Sequence, residues 1–127
     1  MSKSPQPTDG EMAILQVLWR RGPSTVRAVH DEMQEQRTIG YTTVLKMLQI
    51  MLGKGIVDRE DSRRPHVYRP AQPPEQVQEG LVAALARKAF GGSAASLVMR
   101  ALSSKATSRD ELREIRSLLD SLDGGEE

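Results

Sequence analysis

Cysteine is absent from the 127 residues of this chain. Disulfides, thiolate nucleophiles and cysteine-ligated zinc are excluded with it. Aromatic residues are scarce at 3%, and beside 38% hydrophobic content they allow only a modest core for one chain. A second copy is the simplest source of further burial. No apolar run approaches the ~18 residues that a membrane-spanning helix needs. The opening "MSKSPQPTDG" also lacks the apolar centre of a signal peptide. The expectation is a cytoplasmic protein without membrane insertion.

Catalytic patterns are missing too. The sequence has no phosphate loop, no metal-ligand cluster and no nucleophile motif. His30 stands among Arg27, Asp31 and Glu32, His66 stands beside Val67, and the carboxylates are scattered without a pair in an apolar setting. No enzyme, metal or cofactor is expected.

A large charge of one sign is lacking as well, since the net charge is +1, but its distribution is uneven. Met1 to Pro70 carries 11 Lys and Arg against 8 Asp and Glu, and Ala71 onward carries 7 against 9. Between Arg37 and Pro70 the count is 7 against 3. This is the weak footprint of an anionic partner on the first half.

What is present begins with a capping box. Thr8-Asp9-Gly10-Glu11 has the Thr-x-x-Glu spacing in which a hydroxyl and a carboxylate satisfy backbone donors at a helix start. Met12, Leu15, Leu18 and Trp19 follow at helical spacing until Gly22-Pro23 ends the run. Ser24 or Thr25 can cap a second helix, with Val26, Val29 and Met33 on one face and Arg27, Asp31, Glu32 and Glu35 toward water.

The third helix, "GYTTVLKMLQIMLGKG", has two sides. At 100° per residue Val44, Leu48, Met51 and Leu52 fall together, flanked by Leu45 and Met47. Thr42, Lys46, Gln49 and Gly53 fall opposite, with Thr43 and Ile50 at the margin, and Gly55 closes the helix. Two β-prone runs come next, Ile56 to Glu60 and Val67 to Arg69, around a polar turn with Arg63, Arg64 and Pro65. Three helices closed by a basic-tipped hairpin describe a winged helix-turn-helix, which lays its last helix in the DNA major groove.

"AQPPEQ" marks a boundary, giving a winged-helix domain over 1–73 and a second region over 74–127. Helical patterns cover Glu75 to Phe90, Ser93 to Leu102 and Ser108 to Leu122, with "FGGSAAS" as a bend. Leu112, Ile115, Leu119 and Leu122 follow the a/d rhythm of a helix seam. Short helices with few large side chains bury too little to offset the entropy of ordering about fifty residues. The second region therefore reads as a dimerisation module, with Leu81, Leu97, Val98, Leu112, Ile115, Leu119 and Leu122 as its apolar contacts. The fold class expected is mainly α with a small β-hairpin.

The candidate reading head is Tyr41, Thr42, Thr43, Lys46 and Gln49. Threonine, lysine and glutamine donate to phosphates and to base edges, and the Tyr41 hydroxyl can reach a phosphate. Arg63 and Arg64 at the hairpin tip suit a phosphate or minor-groove contact. Arg20, Arg21 and Arg27 are further cations, with nothing in their spacing to give them a role. A plain solvated face is the alternative for each; for the third helix, the three helices, the basic hairpin and the dimer module together outweigh it, and for Arg63 and Arg64 the two readings stand level.

The helix "GYTTVLKMLQIMLGKGIVDRE", the wing "SRRPHVYRP" and the later "FGGSAASLVMRAL" resemble the BlaI/MecI/CopY family of bacterial repressors, from Thr8 to Leu122. The resemblance implies a homodimer that binds double-stranded operator DNA of dyad symmetry, often with TACA/TGTA half-sites. It implies repression of genes for β-lactam resistance or other stress responses, and it places Thr42, Thr43 and Lys46 among the base and phosphate contacts. The copper-responsive branch binds metal through cysteines that this chain lacks. The penicillinase-repressor branch is inactivated by cleavage at an Asn-Phe bond after "SLVL", which would make a membrane sensor protease a partner. Here "SLVM" precedes Arg100-Ala101, so an Asn-Phe protease has no substrate there. Two other readings use the same helices: a winged-helix regulator with a small ligand in its dimer region, and a protein-interaction module without a DNA role.

Overall fold

A computed structural model describes residues 6–62, 64–104 and 107–124. Its elements are α1 (Asp9–Arg21), α2 (Val26–Met33), α3 (Tyr41–Lys54), β1 (Val57–Glu60), β2 (Val67–Pro70), α4 (Pro74–Ala89), α5 (Ala94–Ser103) and α6 (Arg109–Gly124). They fall into two compact units, Met1–Gly80 and Leu81–Glu127, so α4 begins in the first and ends in the second.

The first unit is a winged helix. α1 starts on the full capping box, with the Glu11 amide donating to the Thr8 hydroxyl at 3.2 Å and the Thr8 amide donating to the Glu11 carboxylate at 3.0 Å. Thr25, rather than Ser24, caps α2 by accepting from the Ala28 amide. Ser24 instead pairs with Tyr68 through two backbone bonds of 2.9 and 2.8 Å, which fixes the start of α2 against the hairpin. Gly55 ends α3 at φ +80°, a conformation that favours glycine.

Ile14, Leu15 and Leu18 of α1, Val29 of α2, Val44, Leu48 and Met51 of α3, Val57 of β1 and Tyr68 of β2 are at most 2% exposed and form one core. Burying each such aliphatic side chain stabilises by roughly 1.5–3 kcal/mol before the chain entropy is counted. The hairpin is antiparallel, Val57 opposite Pro70 and Glu60 opposite Val67. It is anchored at its base, where Ala71 donates to the Ile56 carbonyl and the Trp19 indole donates to the Gln72 carbonyl.

Two carboxylates are covered by cations from other elements, and one of them, Glu32, was expected to face water. Glu32 is half-buried beneath Arg20 and Arg21, with N–O distances of 2.9 and 3.5 Å, and the arginines hold its carboxyl below the usual range. Glu11 is 4% exposed and receives the Lys54 ammonium at 3.0 Å on both oxygens.

The second unit has a different burial pattern. Gly91 and Gly92, at φ +58° and +87°, turn the chain between α4 and α5, and Ser93 caps α5. Ser108 and Glu111 form a reciprocal capping box at the start of α6. Ala86 is its one buried hydrophobic residue among those described. Val98, Met99, Leu118, Leu119 and Leu122 are between 48% and 67% exposed.

Candidate nucleic-acid interface

The turn between α2 and α3 sets how α3 is presented. The Gln34 side chain spans it, donating to the Ile39 carbonyl at 2.9 Å and accepting from the Ile39 amide at 3.4 Å. That pairing fixes the amide, whose nitrogen also lies 2.9 Å from His30 Nε2. His30 Nε2 is then the acceptor, leaving Nδ1–H for Asp31 at 3.3 Å. Tyr41, the first residue of α3, lies against α2: the Arg27 guanidinium sits 4.7 Å over its ring and the His30 ring meets it edge-on at 5.9 Å. Bidentate and ring contacts of this kind hold a helix-turn-helix corner without a large core.

From that corner α3 runs with its Val44, Leu48 and Met51 face fully buried. Thr42, Thr43, Lys46 and Gln49 are all exposed on the other side, and Ile50 beside them is 53% exposed. Gly40 precedes the helix with no side chain capping it, and its first turn has no acidic residue. Its leading amides and the positive end of its dipole therefore face outward, where an anion is favoured.

The hairpin supplies the neighbouring wall. A groove of about 400 Å³ runs between α2, α3 and the hairpin, lined in part by Arg27, Tyr41, Gln49, Arg59 and His66. Arg64 is exposed at the tip, and Arg63 lies outside the described residues. The hydrogen bond from Arg59 holds the Asp61 carboxyl below its usual range, against desolvation that would raise it. The charge of Arg64 adds a smaller push in the same direction. Arg69 and Glu60 face each other across the strands at 3.7 Å. Among the described residues no group of acidic and histidine side chains could hold a metal.

The other predicted residues belong to the second unit. Leu81, Leu97 and Ile115 are half-buried there, while Val98, Leu112, Leu119 and Leu122 are exposed. Arg100 and Ala101 lie within α5, both exposed. Arg27 is the residue that spacing gave no role and that the fold places beside α3. The signal for it was present as a cation in the first turn of the preceding helix, but its partner Tyr41 is fourteen positions away.

Comparison with known proteins agrees with this geometry. The penicillinase repressor family model matches residues 7–121. The transcriptional regulator BlaI of Mycobacterium tuberculosis is 32% identical over 98% of this chain and 91% of its own length. The penicillinase repressor of Bacillus licheniformis is 24% identical over 94% of each. Among solved structures, the monomeric form of Bacillus licheniformis BlaI in complex with the blaP half-operator is similar at a TM-score of 0.51 and 27% identity, over 59% of this chain and 92% of that one. The DNA-binding domain of the repressor BlaI is similar to the same degree, over 58% and 90%. With the family model covering nearly all of it, the chain belongs to the penicillinase repressor family, whose members are transcriptional repressors and not enzymes.

Proposed function

We propose that the chain is a DNA-binding repressor that acts as a homodimer on dyad-symmetric operators. The observation that carries the reading is the division of α3: one face wholly buried, the other offering Thr42, Thr43, Lys46 and Gln49 beside a hairpin with an arginine at its tip. In this reading each α3 enters one major groove, Arg64 and Arg63 of the wing grip flanking phosphates, and the Tyr41 end of the helix meets the backbone. Repression follows from occupying the site that polymerase needs.

Pairing through the second unit is supported by what that unit leaves uncovered. With one hydrophobic residue buried among those described, and Leu112, Leu119 and Leu122 exposed along one stripe of α6, the unit gains most of its apolar burial only against another surface. A second copy supplies the same stripe by symmetry, and its spacing sets the separation of the half-sites. Family membership supports genes of β-lactam resistance or related stress responses as the targets. A membrane sensor protease that inactivates this chain would have to accept Arg100-Ala101 on α5 in place of Asn-Phe.

A gel shift of the full chain on DNA from its own upstream region, repeated from 50 to 200 mM salt, tests the reading. A shifted band that weakens steeply with salt, and a footprint with twofold symmetry, are expected. A protein-interaction module gives neither.

A further inference from the structure

Arg27 and Tyr41 form a contact for which DNA binding by α3 alone has no use. The guanidinium carbon stands 4.7 Å over the tyrosine ring, and the other side of this corner is closed by His30 meeting the same ring edge-on. Arg27 is exposed, in the first turn of α2, and has no carboxylate partner among the described residues. Other arginines of this unit are engaged with carboxylates, among them Arg59, which lines the same groove. Arg20 and Arg21 hold Glu32, and Arg59 holds Asp61. A guanidinium held over a ring by its charge still has N–H donors for an acceptor elsewhere, and the fork they make matches a phosphate.

Resting on the DNA-binding reading and extending it, we infer that Arg27 is a phosphate contact of the operator backbone and that Tyr41 acts on DNA through it. The aromatic ring of Tyr41, rather than its hydroxyl, is the working part: it orients the guanidinium at the mouth of the groove that α2, α3 and the hairpin share. Tyr41 is thus a positioning residue. Because a phosphate carries no sequence information, this contact adds affinity equally on operator and on unrelated duplex.

The test is a set of full-length variants titrated on the upstream-region duplex and on a duplex of scrambled sequence, at several salt concentrations. Arg27→Gln is expected to weaken both about ten-fold per half-site, the size of a lost hydrogen bond to a charged group. It should also reduce the slope of log affinity against log salt by about 0.9 per half-site. Tyr41→Phe, which keeps the ring, should lose less than Tyr41→Leu on both duplexes and should keep the Arg27 share of the salt slope. Tyr41→Leu should lose much of what Arg27→Gln loses, and the double variant Arg27→Gln/Tyr41→Leu should lose little more than Arg27→Gln alone. Parental affinity and salt slope in Arg27→Gln, with the parent itself bound, overturn this inference and leave the DNA reading standing. Strictly additive losses, or a loss in Tyr41→Phe equal to that in Tyr41→Leu, overturn the role given to the ring. A parent chain that binds neither duplex overturns both readings together.

Discussion

The salt bridge between Glu11 and Lys54 fastens the far end of α3 to the first turn of α1, and its removal has a size that can be worked out. Glu11 is 4% exposed, and its carboxylate takes the Lys54 ammonium at 3.0 Å on both oxygens and the Thr8 amide at 3.0 Å. Removing one partner of a fully buried pair costs about 3–5 kcal/mol, whereas an exposed pair contributes about 0–1. Lys54 keeps 29% of its side chain exposed and can turn to water, so the pair belongs between those limits, near 2 kcal/mol. Glu11→Ala also removes half of the capping box, about 1 kcal/mol more. A total of about 3 kcal/mol lowers the midpoint of a domain this size by roughly 12–24 °C. Glu11→Gln keeps an acceptor for the Thr8 amide and should cost about 1 kcal/mol less than Glu11→Ala.

Thermal unfolding followed by the fluorescence of Trp19, the sole tryptophan, reads this unit in particular. The pH dependence adds a second constraint. Burial alone would raise the Glu11 carboxyl, but the Thr8 amide and the Lys54 ammonium outweigh it and hold it below its ordinary 4.5. The folded chain therefore binds this proton less readily than the unfolded chain. The stabilisation is complete above about 4.5 and is lost as pH falls through the lower, folded value. Glu32, Asp61 and Glu111 are lowered too, but they are common to parent and variant and cancel in the difference. The gap between parent and Glu11→Gln should be constant from pH 7 to 5 and should close below 4.5. A Glu11→Ala midpoint within 2 °C of the parent at pH 7, or a gap that persists undiminished at pH 3, refutes the reasoning.

Three further outcomes follow from other elements. Lys46→Ala removes an exposed cation from the centre of the α3 face, and should weaken operator binding and reduce its salt slope by about 1 per half-site; an unchanged titration takes Lys46 off the contact surface. Ile115→Asp puts a charge among the apolar residues of α6, and sedimentation should find the parent as a dimer and the variant as a monomer; a dimeric variant places the interface elsewhere. Gly55→Ala meets no atom within 4 Å of the new Cβ, so its cost is backbone alone at φ +80°, about 1 kcal/mol by thermal unfolding. A midpoint unchanged in that variant would mean that the end of α3 relaxes.

Local rules made much of this fold legible. The Thr8 capping box, the Gly55 terminus and the two faces of α3 each depend on spacing within one element, and each appears where that spacing places it. The hairpin strands differ from expectation by a residue at an end, the usual margin for strand ends. The winged-helix class follows from those pieces in order. What spacing missed are contacts between elements. Glu11 and Lys54 are 43 positions apart, so the capping box that gives Glu11 a local role says nothing of Lys54. Glu32 looked exposed on the face of α2, because the arginines that cover it come from the end of α1. Arg27 was one of three arginines without distinction until the turn through Gln34 and Ile39 brought Tyr41 beneath it.

These same contacts explain how a chain of net charge +1 can address a polyanion. Counting basic residues overstates the field that DNA would meet, since a cation already neutralised within the fold releases few counterions on binding. Arg20, Arg21, Lys54, Arg59 and Arg69 all have carboxylate partners within 4 Å, and their charge is spent on holding α1, α2, α3 and the hairpin together. Arg27, Lys46 and Arg64 have none among the described residues, and they stand on α2, on α3 and at the hairpin tip, the three walls of one face. The effective charge of the surface is therefore set by pairing rather than by composition. Its prediction is sharp: Arg20→Gln should change stability more than salt slope, Arg27→Gln the reverse, and a slope reduced equally by both would mean that the Glu32 bridge opens on DNA.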